Sequence, residues 1–205
     1  MARIYFLKDL ALRSLTWDMQ SIDIHLTEMG GWRALLSKAQ FVAHTEFHPL
    51  IEEYLIRLMF RTIKTSSLGG SNLPMNSCQA YDDNPFADFD DFRVIGDHCL
   101  LYAGLFPEQA IMRNLPISYF ARVGELAYAE VARREGDPVF EMLASSFVEI
   151  MDVLLVLRET ERGSASMDLM SAYHLWRDTG SARAWQALCS GTPSLPNPHL
   201  SATIN

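Results

Sequence analysis

Apolar residues recur at spacings of three and four along residues 138–161, which is the period of one helix face. Most of the flanking positions are apolar as well, and Ser145, Asp152 and Glu159 form one narrow polar strip. A helix with so little polar surface has to be surrounded by other helices. We therefore predict that 138–161 is the central buried helix of a bundle. Its main stripe comprises Phe140, Leu143, Phe147, Ile150, Leu154 and Leu157.

The same period predicts helices along most of the remaining chain. Gly30-Gly31 interrupts the pattern before the second helix, and Pro49 starts the third at the position that proline favours. Gly136-Asp137-Pro138 predicts a tight antiparallel connection into 138–161. In the helix before this connection, Gly124 lies in a stripe of small residues that would let the Phe140–Phe147 face approach closely. The predicted helices cover about 4–17, 32–43, 49–64, 86–106, 117–135, 164–178 and 181–189.

These elements predict an all-α fold, a single-domain bundle of six to eight helices. The domain covers residues 1–190 and contains a loop at 65–85 that is rich in Ser, Gly, Asn and Pro. A loop of that length is unusual inside a compact domain. A proline-rich C-terminal tail follows at 191–205.

Composition narrows the class of protein. A net charge of −8 argues against a nucleic-acid partner, because phosphate binding needs clustered Lys and Arg. The three cysteines, Cys78, Cys99 and Cys189, are scattered and lack a CxxC spacing, which fits a reducing compartment. The first residues interrupt any apolar signal core with charges, and no segment is apolar enough to span a membrane. We expect a cytoplasmic protein without a membrane span.

His44 and His48 form the first candidate site. Two histidines four apart on a helix can bind one metal, as in HExxH zinc sites. Here Glu46 stands at the third position of the motif instead of the second, and Pro49 disfavours helical geometry at His48. His48 therefore also reads as a residue at a helix start. We predict no cofactor.

The second candidate is the run Gly96-Asp97-His98-Cys99. It places three reactive side chains in a row, but neighbours on a helix point about 100° apart. Cys99 belongs to an apolar face and reads as a buried thiol, and Asp97 can pair with Arg93 one turn earlier. The ligand or interaction candidates are Asp97, His98, Arg113 in an arginine-rich region, and Tyr119 among the later aromatic residues, which either line a groove or pack in the core.

The run from Gly96 to Glu108, GDHCLLYAGLFPE, resembles a signature segment of a family of uncharacterised bacterial all-helical proteins. The Tyr119–Gly124–Tyr128 helix with 140–157, and the run from Tyr173 to Ser181, are similar to further parts of that family. The resemblance covers roughly residues 45–190. It implies an intracellular, all-helical bacterial protein and no particular activity or ligand.

Three functions remain open on the sequence. The preferred one is a cytosolic module that acts through protein–protein contacts, as an adaptor or regulator, either with another protein or by self-association as a homodimer. The absence of common catalytic motifs favours a protein that is not an enzyme. The alternatives are a metal-dependent helical enzyme that uses His44, His48, Asp97 and His98, and a small apolar-ligand-binding protein with a pocket between aromatic helices.

Overall fold

The computed structural model describes residues 27–67, 89–107, 115–162 and 167–191, and within these ranges the chain forms α-helices and no strand. This confirms the predicted all-α bundle. The predicted helix at 4–17, residues 68–85 of the predicted loop and the tail from 192 lie outside the described residues. The helices are α1 (Thr27–Ala43), α2 (Pro49–Ser67), α3 (Phe89–Gly104), α4 (Ile117–Glu135), α5 (Pro138–Ser145), α6 (Phe147–Arg162), α7 (Leu169–Thr179) and α8 (Ala182–Gly191).

Helix α6 lies at the centre of the bundle. Every residue from Ile150 to Arg158 is buried. Helices α1, α3, α4 and α8 all pack against α6, while α2 and α7 lie further out and contact α5 and α4. The prediction of a central buried helix is therefore confirmed for the second half of 138–161, where α6 forms the axis of the core.

The prediction of one continuous helix over 138–161 is wrong, because the chain breaks at Ser146. Ser146 leaves helical geometry at φ −105° and ψ 17°, while its N–H still bonds to the Met142 carbonyl. The Ser145 hydroxyl donates to the same carbonyl at 3.1 Å, a local bond that competes with the regular helix ladder. The break turns α5 towards α2 and α4 and leaves α6 for the centre.

The predicted hairpin between 117–135 and the following helix is confirmed. Gly136 closes α4 in the left-handed region at φ 68°, and its N–H bonds to the Ala132 carbonyl. The Asp137 carboxylate then caps α5 by accepting the Val139 N–H at 2.9 Å, with Pro138 in the first turn. These three residues stop one helix and start the next.

The predicted close approach at Gly124 is also confirmed. A Cβ atom at Gly124 would overlap the ring of Phe147, whose side chain is 1% exposed, and would lie 2.9 Å from the Cβ of Cys99. Cys99 is fully buried, as predicted for an inert thiol. The missing side chain at 124 thus brings α3, α4 and α6 together at one point.

Three smaller predictions are wrong. Gly30 and Gly31 do not interrupt the chain but lie inside α1, where both face open space and cost only about 1 kcal/mol each. Residues 65–67 belong to α2 and not to the predicted loop. Asp152 is buried and does not lie on a polar strip in contact with water, because α8 covers that side of α6.

We expect Phe147→Ala to lower the free energy of unfolding by about 3–5 kcal/mol, since it removes a fully packed ring. Gly124→Ala should lower it by about 1–3 kcal/mol through overpacking against that ring. In the double variant the loss of unfolding free energy should be smaller than the sum of the two single losses, because the new methyl group at 124 enters the space that the Phe147 ring vacates. Urea denaturation measures all three.

Gly31→Ala serves as the matched control. A Cβ atom there meets nothing within 4 Å, so the substitution should raise stability by up to about 1 kcal/mol through helix propensity. A Gly124→Ala protein as stable as the Gly31→Ala protein would contradict the packing described at Phe147.

Candidate functional site

The carboxylate of Asp97 on α3 is a buried polar group whose side-chain partners lie on two other helices. The side chain is 6% exposed. Its Oδ1 atom accepts the hydroxyl of Tyr54 on α2 at 2.5 Å and the hydroxyl of Tyr128 on α4 at 2.8 Å. Its Oδ2 atom accepts from Nη2 of Arg61, on α2, at 3.1 Å. One buried carboxylate therefore joins three helices, and we call these four residues the Asp97 cluster.

The cluster depends on a glycine next to Asp97. A Cβ atom at Gly96 would lie 2.5 Å from Cε1 of Tyr128, so any side chain there would push the ring away. With glycine at 96, the Tyr128 ring crosses α3 and its hydroxyl reaches Asp97. The rings of Tyr54 and Phe140 meet edge to face at 5.7 Å, which holds the second hydroxyl in place.

Arginines border the cluster on its outer side. The sequence allowed Asp97 to pair with Arg93, but its ion pair is with Arg61, whose side chain is 51% exposed. Arg93 instead lies 5.6 Å from the ring centroids of both Tyr54 and Phe140, a cation–π arrangement. The guanidinium of Arg61 therefore links the buried carboxylate to the surface.

Burial dominates the proton equilibria of the cluster. It raises the pKa of Asp97, while the hydrogen bonds from Tyr54 and Tyr128 and the charges of Arg61 and Arg93 oppose that rise. Burial and the Asp97 charge together raise the pKa values of Tyr54 and Tyr128 well above the usual range. Both phenols therefore stay protonated and act as hydrogen-bond donors to the carboxylate. The arrangement can hold a charge inside the bundle and take up one proton as the pH falls.

His98 follows Asp97 on α3 but makes no dyad with it, as the 100° turn between neighbours predicts. The side chain is 9% exposed, and its Nδ1 atom has no hydrogen-bond partner among the described residues. Burial lowers the pKa of His98, although the nearby Asp97 charge acts in the opposite direction. His98 is therefore a neutral, buried imidazole at the pH of most cells.

The histidine pair predicted as a metal candidate does not form a helical site. His44 lies just after α1 at φ 53°, and His48 precedes α2, where its Nδ1 atom accepts the Leu50 N–H at 3.3 Å. The reading of His48 as a helix-start residue fits this geometry. Within the described ranges, no group of three or more His, Cys, Asp or Glu side chains is placed to hold a metal ion.

The remaining candidates are dispersed or outside the structure. Tyr119 on α4 is half-buried, and its ring packs edge to face on Phe120 with centroids 5.5 Å apart. Arg113 lies outside the described residues. The structure instead brings Tyr54 and Arg61 to Asp97, which the sequence reading missed. Their spacing of seven residues on α2, which places both on one face, and the glycine beside Asp97 were the available signals.

A second buried carboxylate attaches α8 to α6. Asp152, 7% exposed, accepts the Ser181 hydroxyl at 2.5 Å and the Arg183 N–H at 3.1 Å. The Ser181 hydroxyl in turn accepts the Ala184 N–H at 3.0 Å and so caps α8. Burial raises the pKa of Asp152, and the Ser181 and backbone hydrogen bonds oppose that rise. Nε of Arg183 also donates to Glu159 of α6 at 2.6 Å.

One side of α7 exposes four large apolar residues, which we call the α7 apolar face. Leu169, Met170, Tyr173 and Trp176 are 44%, 64%, 43% and 36% exposed. The Trp176 ring packs against Trp185 of α8 with centroids 4.7 Å apart, and Tyr173 follows at 6.3 Å from Trp176. A neighbouring side of α7 buries Ala172 and Leu175. The exposed rings are therefore fixed on a helix that is itself anchored in the core.

We expect Asp97→Asn and Asp97→Ala to behave differently. The Asn variant keeps an oxygen acceptor for both tyrosine hydroxyls and removes the buried charge, so it should be at least as stable as wild type at pH 7. The raised pKa means that ionisation of Asp97 costs stability as the pH rises through that pKa. The advantage of Asn should therefore shrink towards pH 4, where the wild-type carboxyl gains its proton.

Asp97→Ala should be less stable at every pH, by on the order of 1–3 kcal/mol for each tyrosine hydroxyl left without an acceptor. Denaturant titrations at several pH values between 4 and 8 measure both variants. An Asn variant that loses as much stability as the Ala variant at pH 7 would show that the carboxylate charge stabilises the fold.

His98 should make the free energy of unfolding depend on pH with the opposite sign to Asp97. Burial lowers the pKa of His98 in the folded state. Its contribution to the free energy of unfolding is therefore complete above the usual histidine pKa of about 6.5, and it is lost as the pH falls through the pKa of the folded state. His98→Leu should remove that part of the decline in unfolding free energy between pH 7 and 5. The same acid-induced loss in His98→Leu as in wild type would contradict the assignment of a buried neutral imidazole.

Comparisons with protein-family models, curated proteins and solved structures return no match for this chain. The resemblance to a bacterial all-helical family therefore stays a prediction. Among the described helices, none is both long and apolar enough to cross a membrane. The α7 apolar face and the Asp97 cluster are the two features that a functional proposal has to account for.

Proposed function

We propose that this chain is a protein-interaction module of the cytoplasm, and that the α7 apolar face binds an extended, proline-containing segment of a partner protein. The single observation that carries the proposal is the exposure of four large apolar side chains on one side of one helix. Contiguous exposed apolar surface of this kind marks interaction sites. The Asp97 cluster then has a structural role, as the polar joint of α2, α3 and α4.

The composition of the face supports contact with a protein. Tyr, Trp and Met are enriched in the centres of protein interfaces, and Tyr and Trp are frequent hot-spot residues. The net charge of −8 disfavours a nucleic-acid partner, and the scattered cysteines fit a cytoplasmic location. Trp176 is already held by Trp185, so little side-chain entropy remains to be lost on binding.

The row of rings also favours one kind of segment. Extended proline-containing chains are recognised by aromatic surfaces, because the rings pack on the pyrrolidines while indole N–H and phenol O–H groups can donate to the free carbonyls. Along helix α7 the face extends from Leu169 to Trp176, a distance of about 11 Å. About four residues of polyproline II helix span that distance. The face therefore matches a short linear motif better than a folded domain.

We expect proline-containing peptides from a random peptide library to bind the full chain, and Trp176→Ala and Tyr173→Ala each to weaken that binding at least about tenfold. Leu126→Ala is the matched control, because Leu126 is 52% exposed and lies on α4, not on the α7 apolar face. Fluorescence anisotropy of labelled peptides measures the dissociation constants, and thermal melting confirms that each variant is folded.

Binding that is unchanged in Trp176→Ala, or equal for peptides whose prolines are replaced by alanine, would contradict the proposal. Sedimentation velocity provides the remaining check. A dimer that dissociates in Trp176→Ala but not in Leu126→Ala would show that the face binds a second copy of the chain, and would replace the linear segment as its occupant.

A further inference from the structure

We propose that residues 192–205 of this chain are themselves a ligand of the α7 apolar face, so that the module carries its own competitor. This inference rests on the proposed function, since it takes the face to be a binding surface for proline-containing segments. It adds a regulatory contact: a partner has to displace the segment 192–205 before it reaches Tyr173 and Trp176. Three observations favour the segment 192–205 as the ligand of the face.

The first observation is where the chain leaves the described structure. Gly191, the last residue of α8, lies against Leu169, the first residue of the face. A Cβ atom at Gly191 would be 3.2 Å from Cγ and Cδ1 of Leu169 and even closer to Cδ2. The chain therefore departs from the bundle at one end of the α7 apolar face, with Pro193 only two residues further on.

The second observation is reach. The 14 residues from 192 to 205 span up to about 43 Å in a polyproline II conformation. The face extends about 11 Å along α7, from Leu169 to Trp176. A short turn after Gly191 and about five further residues are sufficient to bring the segment alongside Tyr173 and Trp176.

The third observation is chemical complementarity. The segment contains Pro193, Pro196 and Pro198 interleaved with Leu195 and Leu200, and it has no Asp, Glu, Lys or Arg. It can therefore cover an apolar face without burying a charge. The segments 1–26 and 68–88, by contrast, each contain several charged residues.

The charges beside the face fit an uncharged occupant as well. Nε of Arg177 donates to Asp178 at 2.7 Å, and Asp178 also accepts the Ser118 hydroxyl at 2.9 Å. The Asp168 carboxylate is used to cap α7 through the N–H groups of Met170 and Ser171. These groups have partners within the bundle, so a segment such as 192–205 needs no charge to satisfy them.

Attachment makes even a weak contact effective. A segment joined directly to the edge of its binding surface has an effective concentration in the millimolar range. A partner then binds with an apparent affinity reduced by the fraction of molecules whose face is uncovered. The segment thereby sets a threshold concentration for partners, and any event that removes the segment from the face lowers that threshold.

The test uses a labelled synthetic peptide of residues 192–205 and three forms of the full chain. These are wild type, a triple variant with Pro193→Ala, Pro196→Ala and Pro198→Ala, and a matched control with Thr192→Ala, Ser194→Ala and Asn197→Ala. The peptide should bind the proline variant about tenfold more tightly than wild type or the matched control, because only the proline variant has a free face. Adding Trp176→Ala to the proline variant should abolish that gain.

A direct readout in the unliganded chain uses ¹⁹F-labelled tryptophan, with the Trp176 signal assigned by Trp176→Phe. The signal should shift between wild type and the proline variant, remain unshifted in the matched control, and be independent of protein concentration. A concentration-dependent shift would assign the cover to a second copy and overturn the intramolecular contact.

Equal peptide affinity for wild type and the proline variant, with no shift of the Trp176 signal, would also overturn the inference. The proposed function would survive that result if library-selected proline peptides still bind in a Trp176-dependent way. If those peptides bind neither form, the proposed function fails together with the inference. The two failures are therefore distinguishable in one set of proteins.

Discussion

The close approach of α4 to α3 and α6 determines how the described helices meet. Gly124 lets the Phe147 ring reach the backbone of α4, and Gly96 lets the Tyr128 ring cross α3. Without these two glycines, α4 would stand further from α3 and α6. The hydroxyl of Tyr128 would then miss Asp97, and the buried carboxylate would lose one of its two phenolic donors. Apolar packing thus sets the geometry of the polar cluster.

The two buried carboxylates perform the same mechanical task at different places in the bundle. Asp97 joins α3 to the outer helix α2 and to α4, while Asp152 joins α6 to the start of α8. In each case hydrogen bonds from hydroxyl or backbone groups offset the cost of removing a charge from water. Because a polar group with specific donors tolerates only one arrangement, these joints fix the register of helices that apolar contacts alone would hold less specifically.

The joint at Asp152 matters for the surface as well. Helix α8 carries Trp185, against which Trp176 of α7 packs. The exposed rings are therefore positioned through a chain of contacts that begins at α6 in the core and passes through Ser181 and α8. A binding surface built on such a support keeps its shape in the absence of a ligand, which reduces the entropy lost on association.

The sequence was sufficient for features that depend on local periodicity and on turn chemistry. The stripe in α4 and the Gly136-Asp137-Pro138 connection predicted the hairpin and the contact at Phe147. The sequence was insufficient where the chain leaves helical geometry at a single residue, as at Ser146, or where a distant helix covers a polar residue, as α8 covers Asp152. The partners of Asp97 were missed for the same reason, since Tyr54 and Arg61 meet it only through tertiary packing. The exposure of Tyr173 and Trp176 likewise depends on which side of α7 the core occupies.

The position of α1 in the bundle affects the order in which the chain folds. Helix α1 buries Trp32 and Leu36, and its main neighbour in the core is α6, which lies far along the chain. The hairpins α4–α5 and α7–α8 join neighbouring segments and can form early, whereas the α1–α6 contact closes a long loop and is entropically slow. During synthesis, α1 emerges well before α6, and the part of its apolar side that α6 covers stays exposed until α6 follows. The first described helix of the chain is therefore among the last to be completed in the fold, and apolar surface that stays exposed in that interval favours aggregation.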